Sequence, residues 1–405
     1  MLGLTQIVGY GTLYYSFAIL AGDMARDIGW QVSSVYGAFS LALLAGGLVS
    51  RHVGRTVDRR GGGVVMSAGS ACAAAALLAM AFSGGPVSFV ASVVLVQLAG
   101  TLVLYETAFA TLAQIAGPRA GRSITHLTLI AGFASTIFWP LTDWLHRALD
   151  WRTVLMLFAA ANLLVCLPAH LVLSRAVRAA RTAPPPGTAG APAGTAHPPE
   201  RPLPPHLQRR AMVLLAAGFS LGGFMLSAIL AQMVPLLGAL GMGGSAVLVS
   251  ALFGPSQVLV RFANMVAGQE RHPIVATLVC TALFPVAAAV LLVSAPSVAG
   301  AAAFAVILGF GSGLKSIVQG TLPLSLFGRY GYGERLGRLA AVRLVLSAAA
   351  PFALAWLIDV TGPAVALAVM AAPRPPRLAA FAGVARPARQ PTDVPPPRTP
   401  PPPPG

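Results

Sequence analysis

Three charged side chains stand inside the most apolar stretches of this chain: Glu106, Lys315 and Arg261. Holding a carboxylate, an ammonium and a guanidinium away from water is costly. Such groups are kept where they bind an ion, relay a proton or pair with one another. Lys315 could attract an anion, and Arg261 could take a carboxylate in its planar fork. A desolvated carboxyl at Glu106 could exchange a proton. Plainer roles stay open: Glu106 and Lys315 could pair as a gate or reach toward the surface, and Arg261 could contact headgroup phosphate. Gln319 follows Lys315 by one helical turn and shares its face. Tyr14, with Tyr10 and Tyr15 on the first apolar run, could present a polar tip to the same space, although aromatic residues at helical spacing more often serve packing. Arg343 reads as a surface anchor and His126 as a satisfied interior histidine.

The elements that must carry these groups follow from composition. The chain has 405 residues, 56% hydrophobic and 9% charged, far from the quarter charged of an average soluble domain. Apolar runs fall at roughly 3–22, 33–50, 64–82, 87–114, 123–142 and 153–173. A second set falls at roughly 211–236, 245–267, 274–293, 298–322 and 339–358, with a defective run from 363. The first eleven are long enough to cross a bilayer as helices, which need ~20 apolar residues each. The reading is an all-α membrane protein, and it excludes an ordinary soluble enzyme.

The cations set an orientation. With the N-terminus inside, twenty-one cations fall in inner segments and only Arg26, Arg147 and Arg152 in outer ones. That asymmetry is the positive-inside signature and predicts a cytoplasmic N-terminus and central linker. The net charge of +16 is then a device for topology and for contact with anionic lipid, not for nucleic acid. Trp30, Trp144 and Trp151 fall at the outer boundary and read as interface anchors. Cys72, Cys166 and Cys280 lie far apart in apolar text and read as small buried residues. No metal and no cofactor are expected.

Domain boundaries follow from the breaks. Residues 1–174 form one six-helix bundle and 211–384 a second, with a twelfth span broken or truncated by Pro373, Pro375 and Pro376. Between them, 175–210 is a Pro-rich linker, and 385–405 is a disordered Pro-rich tail. The Pro/Arg text at the end is either native or the product of a reading-frame slip.

The segment 51–63 reads Arg-His-Val-Gly-Arg-Thr-Val-Asp-Arg-Arg-Gly-Gly-Gly. Gly54, Asp58, Arg59 and Gly61 resemble the signature between the second and third spans of the Major Facilitator Superfamily, except that Gly62 and Gly63 stand where a basic residue is usual. Asp150-Trp151-Arg152, Gly328-Arg329-Tyr330-Gly331 and Gly337-Arg338 resemble further elements of that superfamily. Gly9-Tyr10-Gly11, Gly132-Phe133 and Trp139-Pro140-Leu141 look like the branch of monocarboxylate and oxalate/formate carriers. Arg261 resembles an arginine of that branch. The resemblance covers residues 1 to about 360. It implies two six-helix bundles, a central cavity lined by the fourth and tenth spans, and a conformational gate at Gly54, Asp58, Arg59 and Gly61. There Asp58 caps a helix or pairs with an arginine across the halves.

These readings converge on a monomeric secondary transporter of the bacterial inner membrane. It would move a small organic anion by alternating access with protons as coupling ion, since no phosphate-binding loop occurs. A proton-driven exporter of neutral or cationic xenobiotics is the alternative, and a transport-inactive membrane sensor or scaffold is the rival from another class.

Overall fold

The computed structural model describes residues 1–182, 203–267 and 272–372, and the described residues are helical and connecting segments without strands. Twelve helical segments follow in order: α1 (residues 2–28), α2 (Val32–Arg60), α3 (Gly62–Ala81), α4 (Pro86–Ile115), α5 (Gly117–Ala148) and α6 (Trp151–Ala180). Then come α7 (Pro205–Met242), α8 (residues 245–267), α9 (Pro273–Ser294), α10 (Val298–Phe327), α11 (Tyr332–Thr361) and α12 (Pro363–Ala371). Nine of these, among the described residues, are long and apolar enough to cross a membrane. The others are α1, α8 and α12. The first two are interrupted by local irregularities, and α12 has only nine residues. Prolines 373, 375 and 376 and the expected tail lie outside the described residues.

Several boundaries differ from the sequence reading. Residues 51–60, expected as a loop, continue α2, so that Gly54, Asp58 and Arg59 lie on its last turns and only Gly61 makes the turn. A helix of 29 residues is about 44 Å long, more than the ~30 Å apolar thickness; α2 therefore projects beyond the lipid. The expected linker likewise shortens: residues 175–182 are helical, and 205–210 belong to α7. Residues 183–202 lie outside the described set. Leu203 is buried and donates its N–H to the Leu326 carbonyl at 2.8 Å, pinning the start of α7 to the end of α10. The end of the bundle that holds this linker is termed the linker side below, and the opposite end the far side.

Each half, α1–α6 and α7–α12, buries its own apolar cluster. Leu20, Met24, Leu77, Phe89 and Leu155 belong to the first, and Ile229, Phe284, Leu291, Phe304 and Leu308 to the second. A third cluster crosses the seam on the linker side, where Val57, Phe109 and Ile124 meet Leu324, Tyr332 and Leu336. Several buried polar groups of the first half satisfy one another. His170, buried between α1 and α3, accepts or donates at Ser70 Oγ (2.7 Å) and Thr5 Oγ1 (3.0 Å), and Asn162 donates to Thr12 Oγ1 at 2.8 Å. In lipid, such bonds between helices replace what water would otherwise supply.

Glycines decide where helices touch most closely. A Cβ at Gly54 would overlap the Gly333 carbonyl, and one at Gly337 the Ser50 carbonyl, so α2 and α11 cross with backbones in contact. Small residues permit that approach. The same test explains the departure from the family signature. A Cβ at Gly62 would overlap Thr111, and one at Gly63 would overlap the backbone of Ser174; a basic side chain has no room at the root of α3.

Two irregularities lie at mid-depth. Within α1, residues Gly11–Tyr15 form a wider turn in which Ser16 N–H bonds the Gly11 carbonyl. Within α4 the backbone is extended at Leu104, which separates an upper piece from Tyr105–Ile115. The break frees carbonyls that must find donors in a medium without water. Thr107 Oγ1 supplies one to Thr101 (2.8 Å), and Gln6 Nε2 of α1 supplies another to Val103 (2.7 Å).

Candidate functional site

Glu106 sits in the first turn of the lower piece of α4, just past the break. Its Oε1 accepts from Arg343 Nη2 of α11 at 2.5 Å, across the seam between the halves. The two side chains are 33% and 18% exposed, so the pair is largely but not wholly withdrawn from solvent. Arg343 is not the surface anchor expected from its position near the start of a run. The helix begins at Tyr332, well outside that run, and the arginine stem lies along Gly223 of α7, whose missing side chain makes the room. Breaking such a pair from one side leaves an uncompensated charge, which is the costly outcome.

Arg261 of α8 is only 5% exposed. It donates to the Thr128 carbonyl of α5 (3.2 Å), to Gln257 Oε1 (3.3 Å) and to Ser316 Oγ of α10 (3.0 Å), while its Nε has no partner. All three acceptors are neutral. A guanidinium buried among neutral acceptors keeps an uncompensated charge.

Lys315 is partly buried and opens on a cavity inside the second half, lined by Gly218, Phe219, Thr277, Cys280, Thr281 and Phe284. Among the described residues it has no hydrogen-bond or ion-pair partner. Glu106 and Arg343 lie within its electrostatic reach, yet the carboxylate of Glu106 is taken by Arg343, not by Lys315. Gln319, one turn further along α10, has a buried Nε2 without a partner. Tyr14 is 42% exposed and joins a run of rings: Tyr10 lies 4.6 Å from Tyr105, Tyr14 5.4 Å from Tyr15, and Tyr15 5.8 Å from Trp139. His126 is partly buried on α5.

On the linker side the halves exchange acids. Asp58 of α2 accepts the backbone N–H groups of Gly333 (2.9 Å) and Glu334 (2.8 Å), capping the start of α11. The carboxylate there also meets the positive end of the helix dipole. In return, Glu334 accepts from Arg55 Nη2 at 2.9 Å and Arg51 Nε at 3.2 Å, both of α2, and from Arg338 Nη2 at 2.6 Å. Gly54 lies beneath this exchange, against Gly333. Gly61, with φ of 91°, ends α2 in a backbone region that favours glycine. Gln114 ties that turn down, accepting Gly62 N–H and donating to the Val57 carbonyl, both at 2.9 Å.

The far side is different. Asp23 pairs with Arg26 and His146, Asp143 with Arg147 at 2.6 Å, and Asp27 with Arg152. Asp27 also accepts Trp151 Nε1–H at 2.8 Å, and Trp151 is 2% exposed. Trp151 is thus a buried structural donor, not an interface anchor, whereas Trp144 is 67% exposed. Asp150, between α5 and α6, accepts from Thr153 Oγ1 and from N–H groups at the start of α6, which hold its carboxyl below the usual range. Cys166 and Cys280 are buried as expected, whereas Cys72 is exposed on the outer surface.

Glu334 and His170 were not picked out from the sequence. His170 stands in Leu167-Pro-Ala-His-Leu-Val-Leu, a lone polar residue in apolar text, the same signal that marks Glu106. Glu334 lies between two recognised glycine-arginine elements, and its sign alone, an acid among linker-side cations, would have singled it out.

Two helical bundles of six segments each, with charged groups held in the seam between them, define a multi-pass membrane carrier. A family model of the Major Facilitator Superfamily matches residues 2–351, and the chain belongs to that superfamily of transporters. Among solved structures, the human organic anion transporter MFSD10 (TETRAN) is similar with a TM-score of 0.68 and 16% identity, over 94% of this chain and 97% of that one. The proton:xylose symporter XylE, bound to 6-bromo-6-deoxy-D-glucose, gives 0.66 and 11% over 95% and 94%. FucP in the outward conformation gives 0.63 and 13% over 96% and 97%. At these identities the likeness concerns the fold. No curated protein sequence matches the chain.

Proposed function

We propose that this transporter moves a small organic anion across the bacterial inner membrane by alternating access, with protons as coupling ion. The observation that carries the reading is Arg261: a guanidinium 5% exposed, in the seam, with neutral acceptors and a free Nε. A carboxylate arriving there would supply the missing countercharge in the planar geometry that guanidinium favours. Lys315 adds to the attraction, while Arg343 is neutralised by Glu106 as long as their pair stands. A proton on Glu106 would release Arg343, so that protonation and anion binding favour the same rearrangement of the seam. Gln319 offers a donor one turn from Lys315, and Tyr14, on α1, offers an accessible ring and hydroxyl.

Asp58 and Glu334 are read as the gate of the linker side, and the asymmetry of the arginines supports a cytoplasmic position for it. The two bundles, α1–α6 and α7–α12, then rock against each other about the connection between α6 and α7. A monomer suffices for this. Anionic lipid is the partner of the inner arginines.

The test is uptake of a panel of radiolabelled carboxylates into proteoliposomes, with and without an imposed pH gradient. Arg261→Ala is expected to lower uptake by at least ~100-fold, about 2.7 kcal/mol in transition-state terms. Glu106→Gln is expected to remove the dependence on the gradient while anion exchange persists. Undiminished uptake in Arg261→Ala would refute the anion reading, and an unchanged gradient dependence in Glu106→Gln would refute the coupling.

A further inference from the structure

A run of tyrosine rings lies near the buried cations, and its composition narrows the class of anion. Tyr10, Tyr14 and Tyr15 come from α1, and Tyr105 stands just past the break in α4. In a regular α-helix, residues five apart point about 140° away from each other. The wide turn at Gly11–Tyr15, closed by an i to i+5 bond, draws Tyr10 and Tyr15 toward one side, with ring centroids 6.3 Å apart. Such turns recur at functional sites. A Cβ at Gly11 would overlap the Phe138 ring, so the turn rests directly on α5. Tyr105 continues the run: it lies 4.6 Å from Tyr10 and stacks on Phe109 at 5.0 Å with 13° between the planes.

The hydroxyls are the second observation. A tyrosine O–H inside a protein usually finds a partner. Among the described residues the hydroxyls of Tyr10, Tyr14 and Tyr105 have no hydrogen-bond partner, and each keeps some accessible surface. The third is the placement of charge. Arg261 lies within electrostatic reach of Tyr15 and Tyr105, and Arg343 of Tyr10 and Tyr14. A ligand seated here would meet aromatic faces with free hydroxyl tips and a guanidinium.

Resting on the anion reading above, we infer that the preferred substrate is an aromatic carboxylate. Its ring lies against Tyr10, Tyr14, Tyr15 and Tyr105, and its carboxylate lies on Arg261. Aromatic rings gain from offset or edge-to-face contact beyond the area they bury, which a saturated ring of equal size does not. Aromatic walls also attract organic cations. Here Arg261 and Lys315 oppose a further positive charge, and Glu106, the nearby carboxylate among the described residues, is already engaged by Arg343.

The experiment is isothermal titration of the full chain in detergent with four probes of similar size: benzoate, cyclohexanecarboxylate, benzyl alcohol and benzyltrimethylammonium. Benzoate is expected to bind at least ~10-fold more tightly than each of the others. Tyr15→Leu and Tyr105→Leu should bring the benzoate to cyclohexanecarboxylate ratio close to 1, while Tyr15→Phe and Tyr105→Phe, which keep the ring, should preserve it. Equal affinity for the two carboxylates would overturn the aromatic inference and leave the anion reading standing. Benzyl alcohol or benzyltrimethylammonium binding as tightly as benzoate would overturn the anion reading itself. No binding of benzoate to the folded chain would overturn this inference.

Discussion

At the linker-side end of the seam, Asp58 and Glu334 each reach into the opposite half, whereas at the far end Asp23, Asp27 and Asp143 keep to their own. Both ends use acids, arginines and helix termini. Among the described residues, every far-side ion pair lies within or between α1, α5 and α6. The linker side adds a shared apolar cluster and a glycine crossing to its exchanged charges. An acid within a half contributes to the stability of that half and is indifferent to how the halves sit. An acid across the seam contributes only while the seam is closed, so it biases an equilibrium between arrangements. The contrast therefore separates residues whose loss should alter transport from residues whose loss should alter melting.

Between the two ends, the largest effect is expected at the glycine crossing. Gly54→Val places a branched side chain where the Gly333 carbonyl already lies, and no rotamer relieves it. Uptake should fall by more than ~10-fold, and spin labels on the linker-side ends of α2 and α11 should report a lengthened distance. Normal uptake and an unchanged distance would mean that backbone contact does not hold this end closed. Next comes Glu334→Gln, which leaves three arginines without their shared carboxylate. Because those arginines are partly solvated, the loss is about 1 kcal/mol. That is about a five-fold shift toward the separated arrangement, read as a second population in the same distance measurement. A single unshifted population would remove Glu334 from the gate.

The smallest effect belongs to the far side. Asp150 has its carboxyl held low by Thr153 and the start of α6, so its contribution is present at neutral pH and above. That contribution is lost as the pH falls below the usual carboxylate range. Asp150→Asn should therefore lower the melting temperature slightly at pH 7, by about 1–2 °C, and flatten its decline in acid, with uptake unchanged. A loss of uptake in this variant would blur the distinction between the two ends.

What could be read beforehand divides along the same physical line. Isolated charges in apolar text, such as Glu106 and Arg261, announce themselves because lipid penalises them whatever their partners. Asp58 and Gly54 are legible because a short motif carries them. Partners are another matter. Glu106 and Arg343 are 237 residues apart, and nothing local couples them. The cavity that takes Lys315 depends on how α7, α9 and α10 meet. The break at Leu104 has neither proline nor glycine to signal it; it stands because Gln6 of another helix and Thr107 supply the donors it needs. Trp151 misleads for a related reason. Its outer position suits a boundary anchor, but its indole N–H is claimed by Asp27.

The crossing of α2 and α11 has a mechanical corollary. The close approach is a strip, from Gly54 against Gly333 through Ser50 against Gly337 to Gly47 against Ala341 and Val345. Such a strip peels open from its end. With Gly47 as the pivot, the ~20 Å of rod from there to Arg60 would swing its tip by roughly 3 Å for a tilt of about 10°.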